Sequence, residues 1–205
     1  MMKSIDYYRK NPKQARSQAT VDAILEAAAR ILQAEGPRAA TTNAIARLAG
    51  VGIGTLYQYF PDKNAILITL ARQELALTGE AVNAGMSPPM DAGENVDPLR
   101  VSIHALIQGF KGRLRTRKAL IEALIANGLT EELTFPVDLA MKEVLAAGTE
   151  GGDAGGSGMT PVKAYVLTRA IVGVIRSAAM EETAYFGTQE FEDELVKLAH
   201  GLMAV

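Results

Sequence analysis

The chain has 205 residues, 48% hydrophobic and 21% charged, a balance that excludes wholesale disorder. It has no cysteine and two histidines, His104 and His200, which excludes disulfides, zinc-thiolate sites, iron–sulfur clusters and cysteine nucleophiles and argues against a multi-histidine metal centre. The net charge of −2 is unevenly spread: residues 1–65 hold nine Lys/Arg against five acids, the remainder twelve against eighteen, which points to a nucleic-acid-facing N-terminal part and a second part with another task.

In chain order, the opening residues 1–15 carry Arg9, Lys10 and Lys13, with Arg16 just beyond, and read as a basic arm. They lack the apolar stretch of a signal peptide. The longest uncharged run, Leu48 to Pro61, is too short and too broken by glycine to span a bilayer, so a soluble, cytoplasmic protein is expected. Val21, Ile24, Ala28 and Ile31 recur close to a 3.6-residue period and predict a first helix that stops at Gly36-Pro37. Thr41 or Thr42 can cap a short second helix over 43–49, and Gly50 breaks it. A third short helix is predicted from about Ile53 to Tyr59. Asp62 caps a fourth, carrying Ile66, Leu67, Leu70 and Leu77.

Residues 84–97 read as a loop. Leu99, Ile103, Leu106, Ile107, Phe110 and Leu114 mark an amphipathic helix. Further helices are expected over about 118–127 and 131–147. Gly151–Gly158 reads as a flexible connector. Pro161 opens a helix to about 182, and Thr188 starts the last one. With no alternating strand pattern and no tandem repeat, the predicted fold is all-α.

Residues 41–63 carry the functional signal. Two short helices joined by a glycine-containing turn form the helix-turn-helix pattern. Ala46 is small where the second helix packs across, Gly50 suits a sharp turn, and Ile45, Leu48, Val51 and Leu56 are expected to make a miniature core. The run from Thr41-Thr42-Asn43-Ala44-Ile45-Ala46 through Gly54-Thr55-Leu56-Tyr57-Gln58-Tyr59-Phe60-Pro61-Asp62-Lys63, with the preceding Ile24-Leu25-Glu26-Ala27-Ala28-Ala29 and Gly36, resembles the DNA-binding signature of the TetR family of transcriptional regulators. The resemblance covers about residues 16–70.

That resemblance implies an N-terminal three-helix DNA-binding domain over 16–65 and a larger helical ligand-binding and dimerisation domain over 66–205. It implies a recognition helix beginning at Gly54-Thr55, where Gly54 lets the backbone come close to the sugar-phosphate chain, Gly52 offers backbone N–H access and Ile53 contributes only apolar contact. Thr42 and Thr55 have hydroxyls for phosphate or base edges. Tyr57 matches a phosphate-bonding tyrosine or belongs partly to the core. Gln58 can read adenine or is simply solvated. Tyr59 can bond a phosphate or touch a thymine methyl, and Lys63 matches a phosphate contact. Gly52 departs from the family, which commonly has serine there, and so removes a capping hydroxyl. The basic arm either adds backbone or minor-groove contacts or is a diffusely attractive tail.

A recognition helix this short reads few base pairs, so a homodimer on a pseudo-palindromic operator is expected. The last two helices are the interface candidates, because the helix from 161 is apolar over most of its circumference. Arg169 and Arg176 share a face and either pair with Glu190, Asp193 or Glu194 or, for Arg169, bind an anion. By resemblance a small-molecule effector pocket is expected, with His104, Gln108, Asn127, Tyr165 and Arg169 as its polar lining; a hydrogen-bonded structural role is the alternative for His104. Lys111, Arg113, Arg115, Arg117 and Lys118 are expected to complement a helix C-terminus and face solvent.

The function so implied is a transcriptional regulator, by family default a repressor, released from its operator by a small molecule. The alternative is an effector-independent architectural or regulatory DNA-binding protein. No enzyme, cofactor or metal site is expected: Gly155-Gly-Ser157-Gly-Met159 fails the nucleophile-elbow pattern at its last position, and Gly52-Ile-Gly54 lacks the third glycine of a dinucleotide fingerprint.

Overall fold

A computed structural model describes residues 15–86, 97–150 and 159–204. The described residues form α1 (Ala15–Glu35), α2 (Thr42–Leu48), α3 (Ile53–Tyr59), α4 (Lys63–Met86), α5 (Pro98–Lys111), α6 (Leu114–Ala126), a 3₁₀ turn (Thr130–Thr134), α7 (Phe135–Glu150), α8 (Pro161–Glu181) and α9 (Gln189–Met203). No strand occurs among them, as the hydrophobic periodicity predicts. The basic arm, most of the 84–97 loop and the Gly151–Gly158 connector lie outside the described residues; of that expected loop, residues 84–86 are the last turn of α4.

Side-chain caps fix where the helices begin. Thr41 Oγ1 accepts the Ala44 N–H (3.2 Å), Asp62 Oδ1 that of Ala65 (2.9 Å), and Asp97 Oδ1 that of Leu99 (3.0 Å). Thr160 and Thr188 do the same for Lys163 and Phe191. Each bond satisfies an N–H that has no partner within its helix. Two boundaries differ from expectation. Leu114 opens α6 rather than ending α5, because the chain breaks at Gly112 and Arg113 and α6 starts four residues earlier than predicted. The expected 131–147 helix is split, its beginning wound as a 3₁₀ turn, with α7 starting at Phe135; Pro136, lacking an N–H, fits only in a first helical turn.

The described chain divides into two compact units. One takes the residues up to Glu74 together with Arg113–Thr130. Compactness therefore groups α6 and the first half of α4 with the helix-turn-helix, rather than cutting the chain after residue 65. The core of this unit is Val21, Ile24, Ala28 and Leu32 of α1, Ile45 and Ala46 of α2, Leu56, Tyr59 and Phe60 at α3, Ile66 and Leu70 of α4, and Leu120 and Leu124 of α6.

Polar bonds clip α6 onto α1. Thr116 Oγ1 donates to Ala29 O (3.1 Å), and the Thr116 N–H donates to Gln33 Oε1 (3.2 Å). Arg115 donates to the carbonyls of Ala34 (3.0 Å) and Gln33 (3.3 Å), the acceptors left open at a helix C-terminus. Arg113 meets Glu26 at 3.1 Å. Arg115 thus complements a helix end as the sequence suggests, but Arg117 does not face solvent: it is 8% exposed and lies 3.4 Å from Glu74. Burial lowers the pKa of its guanidinium while Glu74 opposes that shift. A charge run alone does not show that one of its members has a half-buried carboxylate partner 43 residues away.

The second unit holds Leu75–Gly112 and the chain from Glu131 onward. In it α7 packs on α8, and α5, α8 and α9 pack on one another. Its buried side chains include Ile103, Leu106 and Ile107 of α5, Leu167, Ile171 and Ile175 of α8, and Leu195, Val196 and Ala199 of α9. The α5–α9 seam is also polar: Arg100 bonds Asp193 (2.7 Å), His104 Nδ1 lies 2.8 Å from Glu192, and His200 Nε2 lies 2.9 Å from Asp97. Arg169 pairs with Asp138 of α7 at 2.7 Å. Of the α9 acids expected to pair with it, Asp193 is engaged by Arg100 and Glu194 by Lys197.

Candidate nucleic-acid interface

The turn between α2 and α3 shows why this sequence makes a helix-turn-helix. Gly50 has φ +69°, a left-handed conformation that costs a residue with a Cβ about 1–2 kcal/mol. Around it the Gly50 N–H donates to Arg47 O (3.3 Å) and the Val51 N–H to Ala46 O (3.0 Å). This paired pattern closes a helix on a glycine, so the chain leaves α2 and re-enters helix within a few residues. Ala46 and Ile45 are buried beneath the crossing. Leu48, expected in that core, is 45% exposed, and the buried side chains there are Ile45, Ala46 and Leu56.

Gly52 caps α3 with no side-chain bond, the consequence expected of the missing serine. On α3, Ile53, Gly54, Tyr57 and Gln58 are exposed, while Leu56, Tyr59 and the following Phe60 are buried. The spacing i, i+1, i+4, i+5 puts the four on one face of the helix. A Cβ at Gly54 would meet nothing within 4 Å, so this face is open to close approach. Thr55 is half-buried. Tyr59 departs from expectation: at 8% exposed its ring packs in the core and does not share the open face.

Two polar contacts lie in the same unit. Tyr57 OH and Thr42 Oγ1 lie 3.2 Å apart, tying the start of α2 to α3. Lys63 Nζ donates to Pro37 O at 2.7 Å, which places the ammonium beside the α1–α2 loop and leaves further donors free. Sequence reasoning did not foresee this bond, which joins residues 26 apart. A cleft of about 330 Å³ also lies in this unit, lined by Ile31, Glu35, Ala39, Ala44, Arg47 and Leu48.

Of the five residues expected to line an effector pocket, His104, Gln108, Tyr165 and Arg169 lie in the second unit and Asn127 in the first. Asn127 is the exposed C-cap of α6, in the same unit as the helix-turn-helix, with its amide donating to Ala123 O. His104 and Gln108 are exposed on α5, one turn apart. Tyr165 and Arg169 do meet, the guanidinium 4.9 Å from the ring centroid. Among the described residues no group of three or more His, Asp or Glu is arranged to hold a metal, and no helix is long and apolar enough to cross a membrane.

The fold and the α2–α3 geometry are those of a helix-turn-helix DNA-binding regulator. Residues 24–70 match the family model for bacterial regulatory proteins of the tetR family. Over these residues the chain is similar to the DNA-binding transcriptional regulators of that family. Its fold is similar to that of the fatty acid degradation regulator FadR from Bacillus halodurans (17% identity, 95% of this chain and 96% of that chain, TM-score 0.65). It is also similar to the multidrug binding protein EbrR solved with imidazole (18% identity, 90% and 95%, TM-score 0.64). A third likeness is to BioQ with its double-stranded DNA operator (19% identity, 90% and 98%, TM-score 0.57). A search of curated proteins gives no match.

Proposed function

We propose that this regulator is a cytoplasmic repressor that binds a pseudo-palindromic operator as a homodimer and is released by a small-molecule effector. The observation that carries the reading is the open face of α3, with Ile53, Gly54, Tyr57 and Gln58 exposed together. In this reading Gln58 reads a base edge, Thr42, Thr55, Tyr57 and Lys63 hold phosphates, and Gly52, Ile53 and Gly54 bring the backbone close. Residues 16–65 supply DNA contact, and residues 66–205 supply sensing and association. The likeness to operator-bound BioQ supports the DNA role, and the likeness to EbrR, a multidrug binding protein, supports an effector.

Association is supported by α8, whose one side is buried while Val162 (71% exposed), Tyr165, Val166 and Val174 stay open, more apolar surface than a lone helix face ordinarily leaves in water. Two recognition helices one helical turn apart, about 34–36 Å, fit an inverted repeat.

The test is light scattering of the free protein and of its complex with a selected duplex. Two chains in each, and loss of the complex on adding a compound that binds the protein, support the reading. A monomeric complex refutes the dimer. An operator affinity unmoved by every compound that binds favours the effector-independent alternative.

A further inference from the structure

Arg38 stands on the loop between α1 and α2. It is exposed, and among the described residues no hydrogen bond or ion pair engages its side chain. Its position is set by its neighbour: Lys63 Nζ bonds the oxygen of the Pro37–Arg38 peptide at 2.7 Å. Peptide dimensions then put that ammonium within about 6 Å of the Arg38 Cα. The Lys63 ammonium of α4 thus sits beside the backbone of the loop that carries the exposed Arg38 side chain.

Among the described residues no ion pair joins Arg38 or Lys63 to Asp62, which caps α4 through the Ala65 N–H, or to Glu35. In the same unit Arg113 and Arg117 face Glu26 and Glu74 and Arg115 is spent on main-chain carbonyls, whereas Arg30 and Arg47 are exposed as Arg38 is.

The geometry points to Arg38 as a further DNA-phosphate contact, extending the row begun by Thr42, Tyr57 and Lys63 past the edge of the recognition helix. This rests on the DNA-facing assignment of Lys63 given above. Because the contact is to backbone, it adds affinity and salt dependence without reading sequence. A guanidinium suits the role, since its fork grips two phosphate oxygens at once.

The experiment measures operator affinity against salt concentration by fluorescence anisotropy, using a duplex selected with the wild-type protein. R38Q is compared with R38K and with K142Q, which removes one charge from an exposed position of α7 in the other unit. The slope of log K against log salt is expected to shrink by about 0.9 for each Arg38 in the bound species in R38Q, with base preference unchanged. R38K retains most of the slope and K142Q retains all of it. A wild-type slope in R38Q overturns the inference, as does an equal reduction in K142Q, which marks a general charge effect. If the wild-type protein binds no duplex, it is the DNA-facing reading itself that fails.

Discussion

Removing the Tyr57 hydroxyl separates a structural role from a DNA-binding one. In the free protein Tyr57 OH has one side-chain partner, Thr42 Oγ1 at 3.2 Å, in an exposed setting. An exposed hydroxyl–hydroxyl bond of that length contributes about 0.5 kcal/mol, so Tyr57→Phe is expected to lower the melting temperature by only about 1–2 °C. A hydroxyl donating to a phosphate is worth about 1.5 kcal/mol, close to tenfold per recognition helix and about a hundredfold for a dimer on two half-sites. Thr42→Val removes the other half of the pair. If both hydroxyls reach phosphate, each single change weakens operator binding and the double change weakens it further. If they serve only each other, the double variant binds no worse than either single one. Anisotropy at fixed salt, with thermal unfolding on the same samples, gives both numbers. A Tyr57→Phe protein with wild-type operator affinity refutes the phosphate assignment.

Three further outcomes follow from the same geometry. Gly50→Ala forces a Cβ into φ +69° and is expected to cost about 1–2 kcal/mol; urea unfolding checks it, and an unchanged midpoint contradicts the turn argument. Glu74→Gln leaves Arg117, 8% exposed, without its carboxylate and is expected to destabilise by about 3 kcal/mol, while Glu26→Gln, at the exposed Arg113 pair, changes stability by less than about 1 kcal/mol; equal losses in denaturant titrations refute the contrast. At Asp97, burial resists ionisation, but hydrogen bonds from His200 and the Leu99 N–H outweigh it and hold the carboxyl below its usual range. A carboxyl depressed in the folded state stabilises above its unfolded value of about 3.9 and loses that contribution as pH falls through the folded pKa. Asp97→Asn should therefore flatten the stability loss below about pH 4, and an acid-unfolding curve parallel to the wild type's contradicts this.

Most of the helix-turn-helix was legible because local chemistry dictates it. A glycine at a left-handed position ends α2, a threonine caps it, an aspartate caps α4, and apolar spacing gives each helix its buried side. What was not legible depends on partners distant in the chain. Arg117 looks like one more surface charge until α6 lies on α1 and Glu74 comes within reach. Tyr59 has the same polar tip as Tyr57, and only the packing of α3 decides which ring is covered. Arg169 is drawn to Asp138, not to the acids of α9, because α8 turns that side toward α7. His104 and Asn127, both polar in apolar stretches of sequence, are exposed, and they lie in different units.

The central claim is that the open face of α3 reads duplex DNA. Selection from a randomised duplex pool tests it most directly, run in parallel with the wild-type protein and Gln58→Ala. The account predicts that the wild type enriches an inverted repeat and that Gln58→Ala relaxes the preference at one base pair of each half-site while still binding. No enriched sequence with the wild type at low salt, or an identical motif from both proteins, would contradict it.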